Sequence, residues 1–92
     1  MPRFLIEVPH ESGGHACIKA IDVIRKTGAH FFSKADWGCK DGEHKAWLIV
    51  DVKDKNEALC IVPVSFRRDA RIVQLNAFSD EEVDHLLGSA AS

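Results

Sequence analysis

The chain has 92 residues, 46% of them hydrophobic and 28% charged, with a net charge of −2. A chain this short can build one core, and its composition is ordinary for a globular domain. The mildly acidic balance gives no footing for a nucleic-acid or membrane-surface partner, and the apolar runs fall far short of the roughly 18 residues of a spanning helix. No basic-then-apolar leader opens the sequence, and the three cysteines (Cys17, Cys39 and Cys60) are odd in number. A reducing, cytoplasmic setting without a disulfide framework is therefore expected. The expected organisation is one domain over residues 1–88 and a flexible tail over 89–92.

Arg3 to Val8 alternates, with Phe4, Ile6 and Val8 on one face and Arg3, Leu5 and Glu7 on the other. This is the pattern of a half-buried strand, and Pro9 closes it. From Ser12 to Thr27, Cys17, Ile21 and Ile24 recur at helical spacing. Lys19, Asp22, Arg25 and Lys26 lie opposite them, Ser12 is the expected N-cap and Gly28 the stop.

From His30 to Val52 the sequence predicts a hairpin turned at Asp41-Gly42, because glycine accepts positive φ without a steric penalty. In that register Cys39 faces His44, Trp37 faces Ala46, Ala35 faces Leu48, Ser33 faces Val50 and Phe31 faces Val52. Ala46, Leu48, Val50 and Val52 then share one apolar face, which a slip of one residue would scatter. Asp54 to Glu57 reads as a capping box opening a second helix through Ala58, Leu59 and Val62, with Cys60 in its core and Pro63 at its end. Arg71 to Phe78 predicts a fourth strand. Ser79 to Glu82 forms a second capping box, opening a short terminal helix through Leu87.

The expected fold is α+β: a ferredoxin-like β-α-β-β-α-β order plus a short C-terminal helix. Four antiparallel strands in the order 4-1-3-2 carry the helices on one face. This winding brings distant residues together at the end of the sheet where the first strand finishes. The period of two puts His10 on the helix-facing side if the strand persists past Pro9. Cys39 and His44 share that side of the hairpin, and Cys17 lies in the first turns of its helix. His10, Cys17, Cys39 and His44 therefore converge on one corner, with Glu11, His15, Asp36, Arg67, Arg68 and Arg71 around the rim.

Three readings suit such a corner. A small anionic or aromatic metabolite could be bound by Cys17, Asp36, Trp37, Arg67 and Arg68 while His10, His44 and Cys39 act as catalytic groups in a cofactor-free isomerase or lyase. Alternatively, His10, Cys17, Cys39 and His44 could ligate zinc or iron, although they lack paired C-x-x-C spacing. A third reading makes them packing residues of a non-enzymatic structural or interaction dimer, since cysteine often serves as a small buried hydrophobe.

The face without helices carries Leu5, Phe32, Trp47 and Ile49. An apolar patch of that kind marks an interface and predicts a homodimer paired through the open sheet. RNA-recognition modules share the topology, but the segment Lys45-Ala46-Trp47-Leu48-Ile49-Val50 lacks their glycine-aromatic pattern.

In size and layout the chain resembles the dimeric α+β barrel superfamily, which includes muconolactone isomerases, small cofactor-free monooxygenases and uncharacterised small bacterial proteins. Val62-Pro63 followed by Phe66 is similar to a Pro-aromatic kink of the isomerase-like members. The resemblance implies paired sheets and a small-molecule pocket. It carries over no catalytic residue, because no motif maps residue by residue.

Overall fold

In the computed structural model, which describes residues 1–91, alternation along the first strand decides which way the sheet faces. The chain runs β1 (Arg3–Pro9), α1 (Gly14–Thr27), α2 (Ala29–Lys34), β2 (Asp36–Trp37), β3 (Lys45–Asp51), α3 (Lys55–Ile61), β4 (Arg71–Leu75) and α4 (Asp80–Ala91). Single 3-10 turns occupy Cys39–Asp41 and Val64–Phe66. The described residues are thus α+β, with four helices and a four-stranded antiparallel sheet in the order β2-β3-β1-β4. From the opposite edge that order reads 4-1-3-2.

Phe4, Ile6 and Val8 point inward from β1, as do Ala46 and Leu48 from β3. Ile24 of α1, Phe31 of α2, and Ala58 and Val62 from α3 and its end close over them. The outer face presents Leu5 beside Ile49 and Val73. Glu7 lies between Trp47 and Arg71, and the Trp47 indole N–H donates to its carboxylate at 3.1 Å.

The largest departure from expectation is the stretch before β2. Ala29–Lys34 is a helix, so the pairings of Ala35 with Leu48, Ser33 with Val50 and Phe31 with Val52 are absent, and β2 is two residues long. Adjacent Phe31 and Phe32 explain the difference. On a strand they would point to opposite faces, but on a helix they lie about 100° apart and both can reach apolar surroundings. Phe31 is fully buried, and the Phe32 ring lies 6.1 Å from that of Trp37.

Three smaller corrections follow. The N-cap of α1 is Gly13, at φ 115°, with no side-chain cap from Ser12. β4 stops at Leu75 rather than Phe78. Cys60 is exposed, because α3 turns Ala58 and Val62 inward and position 60 falls on the far side of the helix.

Both helices open at the expected side-chain caps, without the return bond to the cap's own N–H that completes a capping box. Asp54 accepts from the Glu57 N–H at 2.8 Å while Glu57 accepts from the Lys53 N–H at 2.9 Å; Ser79 accepts from the Glu82 N–H at 3.1 Å. Every residue from Asn76 to Gly88 is exposed. The expected tail over 89–92 falls on side chains, and a final residue, outside those described. Among the described residues no helix is long and apolar enough to cross a membrane.

Candidate metal centre

Backbone pairing carries the β1–β3 ladder one rung beyond its strands. Pro9 lies opposite Lys45, and the His10 N–H donates to the His44 carbonyl at 3.1 Å. Alternation then places both imidazoles on the side of Val8 and Ala46, above the end of the core. Cys17 enters from the second turn of α1 and is 6% exposed. Cys39 begins the 3-10 turn that joins β2 to β3.

Gly38 ties that turn together. Its N–H donates to the Lys45 carbonyl at 3.0 Å, and its own carbonyl accepts from the N–H groups of Asp41 and Glu43, both at 3.0 Å. A Cβ there would sit 2.7 Å from the Glu43 carbonyl oxygen and 2.7 Å from the Trp47 ring. Gly42 takes the left-handed conformation, φ 83°, where the sequence placed the turn. Trp37 pairs with Ala46 as expected, and its ring lies 5.7 Å from that of His10.

The four side chains meet. One ligand atom from each of His10, Cys17, Cys39 and His44 can be chosen so that all four lie within 4.8 Å of one another. His10 Nε2 is 3.3 Å from Cys17 Sγ and 3.0 Å from Cys39 Sγ, and the His10 and His44 rings meet edge to face at 5.7 Å. Donors bound about 2.0–2.3 Å from one tetrahedral ion lie roughly 3.3–3.8 Å apart. This compact His2Cys2 group could hold zinc or iron.

The group's own electrostatics are poorly satisfied. His10 Nδ1 and His44 Nδ1 are buried without a hydrogen-bond partner among the described residues, an arrangement that costs free energy; an ion held by His10 Nε2 would leave the Nδ1 of that ring as it is. Burial, and then the charge on His44, holds the His10 imidazole below its ordinary 6.5. Burial, and then the Cys17 thiol beside it, pushes the Cys39 thiol up. Each group resists ionisation because of the dry surroundings and its neighbour. A dication placed among the four would reverse that for the thiols and take up the lone pairs of neutral imidazoles.

Beside the group lies a cavity of about 470 Å³. Cys17 and Cys39 form part of its wall with Ile18, Ile21, Phe32 and Trp37, while Asp36 and Lys40 stand among the polar lining; neither histidine lines it. Two of the four clustered residues, the cysteines, thus line the cavity and the two histidines do not. The two arginines expected at the site are engaged elsewhere. Arg67 donates to the carbonyls of Val62 at 2.8 Å and Cys60 at 3.1 Å. Arg68 pairs with Asp69 in solvent, and neither lines the cavity. Glu11 and His15 are exposed, and Arg71 opens β4 opposite Glu7.

Sequence reasoning passed over Ile18, Phe32 and Lys40 as cavity residues and Gly38 as the knot of the turn. Ile18, one step off the buried stripe of α1, gave a usable signal: it is apolar where a solvated face would carry a charge. A scan against protein-family models, a search of curated proteins and a search of solved structures each returned no match.

Proposed function

We propose that this protein binds one zinc ion through His10, Cys17, Cys39 and His44, in a four-coordinate centre that braces the end of its sheet. The observation that carries the reading is the convergence of four ligand atoms from separate parts of the chain within 4.8 Å. Two thiolates and two imidazoles in a tetrahedron suit zinc, with ferrous iron the nearest competitor. A Rieske-type two-iron cluster does not suit this set, since it puts its cysteines and histidines on different irons, whereas His10 Nε2 lies against both sulfurs. A full set of four protein ligands is the mark of a structural site rather than a hydrolytic one, which keeps a position open for water.

The isomerase or lyase reading fits this arrangement less well. A proton-transferring His10 would have to reach substrate through Nε2, and that atom is turned to the two sulfurs. What still supports a small-molecule ligand is the apolar cavity with Phe32 and Trp37 in its wall. An aromatic metabolite seated there would rest against the sulfurs, oriented by Asp36 and Lys40.

We further propose a ferredoxin-like subunit that pairs through its open sheet. The element order, the strand order and the apolar outer positions Leu5, Trp47 and Ile49 support that pairing. Sedimentation should give twice the chain mass, and a concentration-independent monomer would remove the pairing.

Zinc is tested by elemental analysis of protein refolded under reducing conditions with equimolar zinc. One zinc per chain is expected, and cobalt substitution should give the intense visible bands of a tetrahedral thiolate site. His44→Ala and Cys39→Ala should each lose the bands. Protein that retains no metal after desalting would sink the reading, and a stoichiometric preference for iron over zinc would change the ion.

A further inference from the structure

We infer that this centre is an oxidation-labile one, in which a peroxide entering the cavity joins Cys39 to Cys17 as a disulfide and thereby expels the ion. The inference rests on the zinc reading above and concerns how the same site is regulated. It stands on which ligands line the cavity rather than on their number. Cys17 and Cys39 both line it and neither histidine does, so an oxidant that enters the cavity meets the two cysteines first.

The two sulfurs are not equivalent. Cys39 opens a surface turn and is half-buried, while Cys17 is 6% exposed on the inner side of α1. Cys39 is therefore the attacking thiolate and Cys17 the resolving one. The Cys39 sulfur attacks one oxygen of hydrogen peroxide, the O–O bond breaks, and hydroxide leaves with Cys39 as the sulfenic acid. The Cys17 thiolate then attacks the Cys39 sulfur, the S–O bond breaks and a second hydroxide departs. Two protons convert the hydroxides to water. The cysteine pair has lost two electrons and the peroxide has gained two.

The sulfurs begin within the 4.8 Å span of the cluster and must close to about 2.05 Å. The 3-10 turn is the element free to supply that movement, since Lys40, Asp41 and Gly42 are exposed. What remains for the ion is a pair of imidazoles, half the donor set and none of its charge, so retention is lost. Cys60 lies exposed on α3 and takes no part.

The test uses the full chain carrying Cys60→Ser, reduced, loaded with zinc and desalted. Hydrogen peroxide is added in modest excess, released zinc is read with a chromogenic chelator, and the protein is mapped by mass spectrometry without reductant. The expected result is release of one zinc per chain, a mass loss of about 2 Da and a Cys17–Cys39 cross-linked peptide, with zinc taken up again after dithiothreitol. Zinc retained while peroxide is in excess would overturn the inference, as would release accompanied only by sulfinic or sulfonic acids. The two readings separate at the loading step. A chain that never takes up zinc defeats the metal centre itself, whereas a loaded chain that ignores peroxide defeats only its oxidative release.

Discussion

The corner that gathers His10, Cys17, Cys39 and His44 and the C-terminal helix α4 are organised in opposite ways. At the corner, residues up to 34 positions apart meet, polar nitrogens are buried without partners, and glycine is required where a backbone must pass close to its neighbour. In α4 the determinants are local. Ser79 and Glu82 cap the helix, Asp80, Glu81 and Glu82 suit its N-terminal dipole, and residues 80–88 are exposed. The contrast teaches where a third component would have something to do. α4 is capped from within, while the corner keeps two buried imidazole nitrogens without partners among the described residues.

If that contrast is right, metal removal gives the largest effect. A chelator should lower the stability of loaded protein by about 4 kcal/mol at a thousandfold excess of metal over its dissociation constant, a fall in Tm of more than about 10 °C for a domain of this size. Cys39→Ser should reproduce the fall and remove further response to the chelator. An unchanged melting curve would place the corner on the same footing as α4. Gly38→Ala comes next, since the added Cβ meets a carbonyl oxygen and an indole at 2.7 Å. It should cost about 1–3 kcal/mol, and zinc titration should show weakened binding because the turn bearing Cys39 must shift.

The metal-free protein should then show a pH dependence. The folded His10 pKa lies below 6.5 because burial, and then His44, disfavours the imidazolium. The unfolded chain therefore binds the proton first as pH falls. This stability is fully present above about pH 6.5 and declines as pH drops through the lower folded value. For Cys39 the folded pKa is raised from 9.0, so its contribution is intact below pH 9 and is lost as pH rises through the folded value. Thermal melts of metal-free protein should accordingly be highest between those limits, and a monotonic profile would contradict the local electrostatics. The smallest effect belongs to Ser79→Ala. About 1 kcal/mol of capping is lost, read as faster hydrogen exchange over residues 80–84, with zinc affinity unchanged.

Much of this arrangement was legible because it follows from side-chain period. Alternation in β1 fixed the inward set Phe4, Ile6 and Val8, and its continuation past Pro9 placed His10. Gly42 took the positive φ expected of it and the Trp37–Ala46 register followed, although a 3-10 turn over Cys39–Asp41 replaced the two-residue tip that would have set Cys39 opposite His44; both helices opened at the expected caps, Asp54 and Ser79. What sequence period could not convey was a competition between helix and strand decided by tertiary packing. Phe31 has good strand propensity, yet it fills the core from a six-residue helix. Cys60 was misplaced for a related reason: a seven-residue helix buries a narrow stripe, and composition does not say where that stripe is centred. Gly38 escaped notice because its need is a close approach that exists after the chain has folded.

The last rung of the β1–β3 ladder, His10 against His44, bears on how a metal-binding chain would mature. Cys39 and His44 are five positions apart, His10 and Cys17 are seven, and the two pairs are joined by that rung. Under the zinc reading, the unfolded polypeptide would offer an ion at most one pair of ligands at a time. The full set would exist once strand registry and the docking of α1 had brought the pairs together.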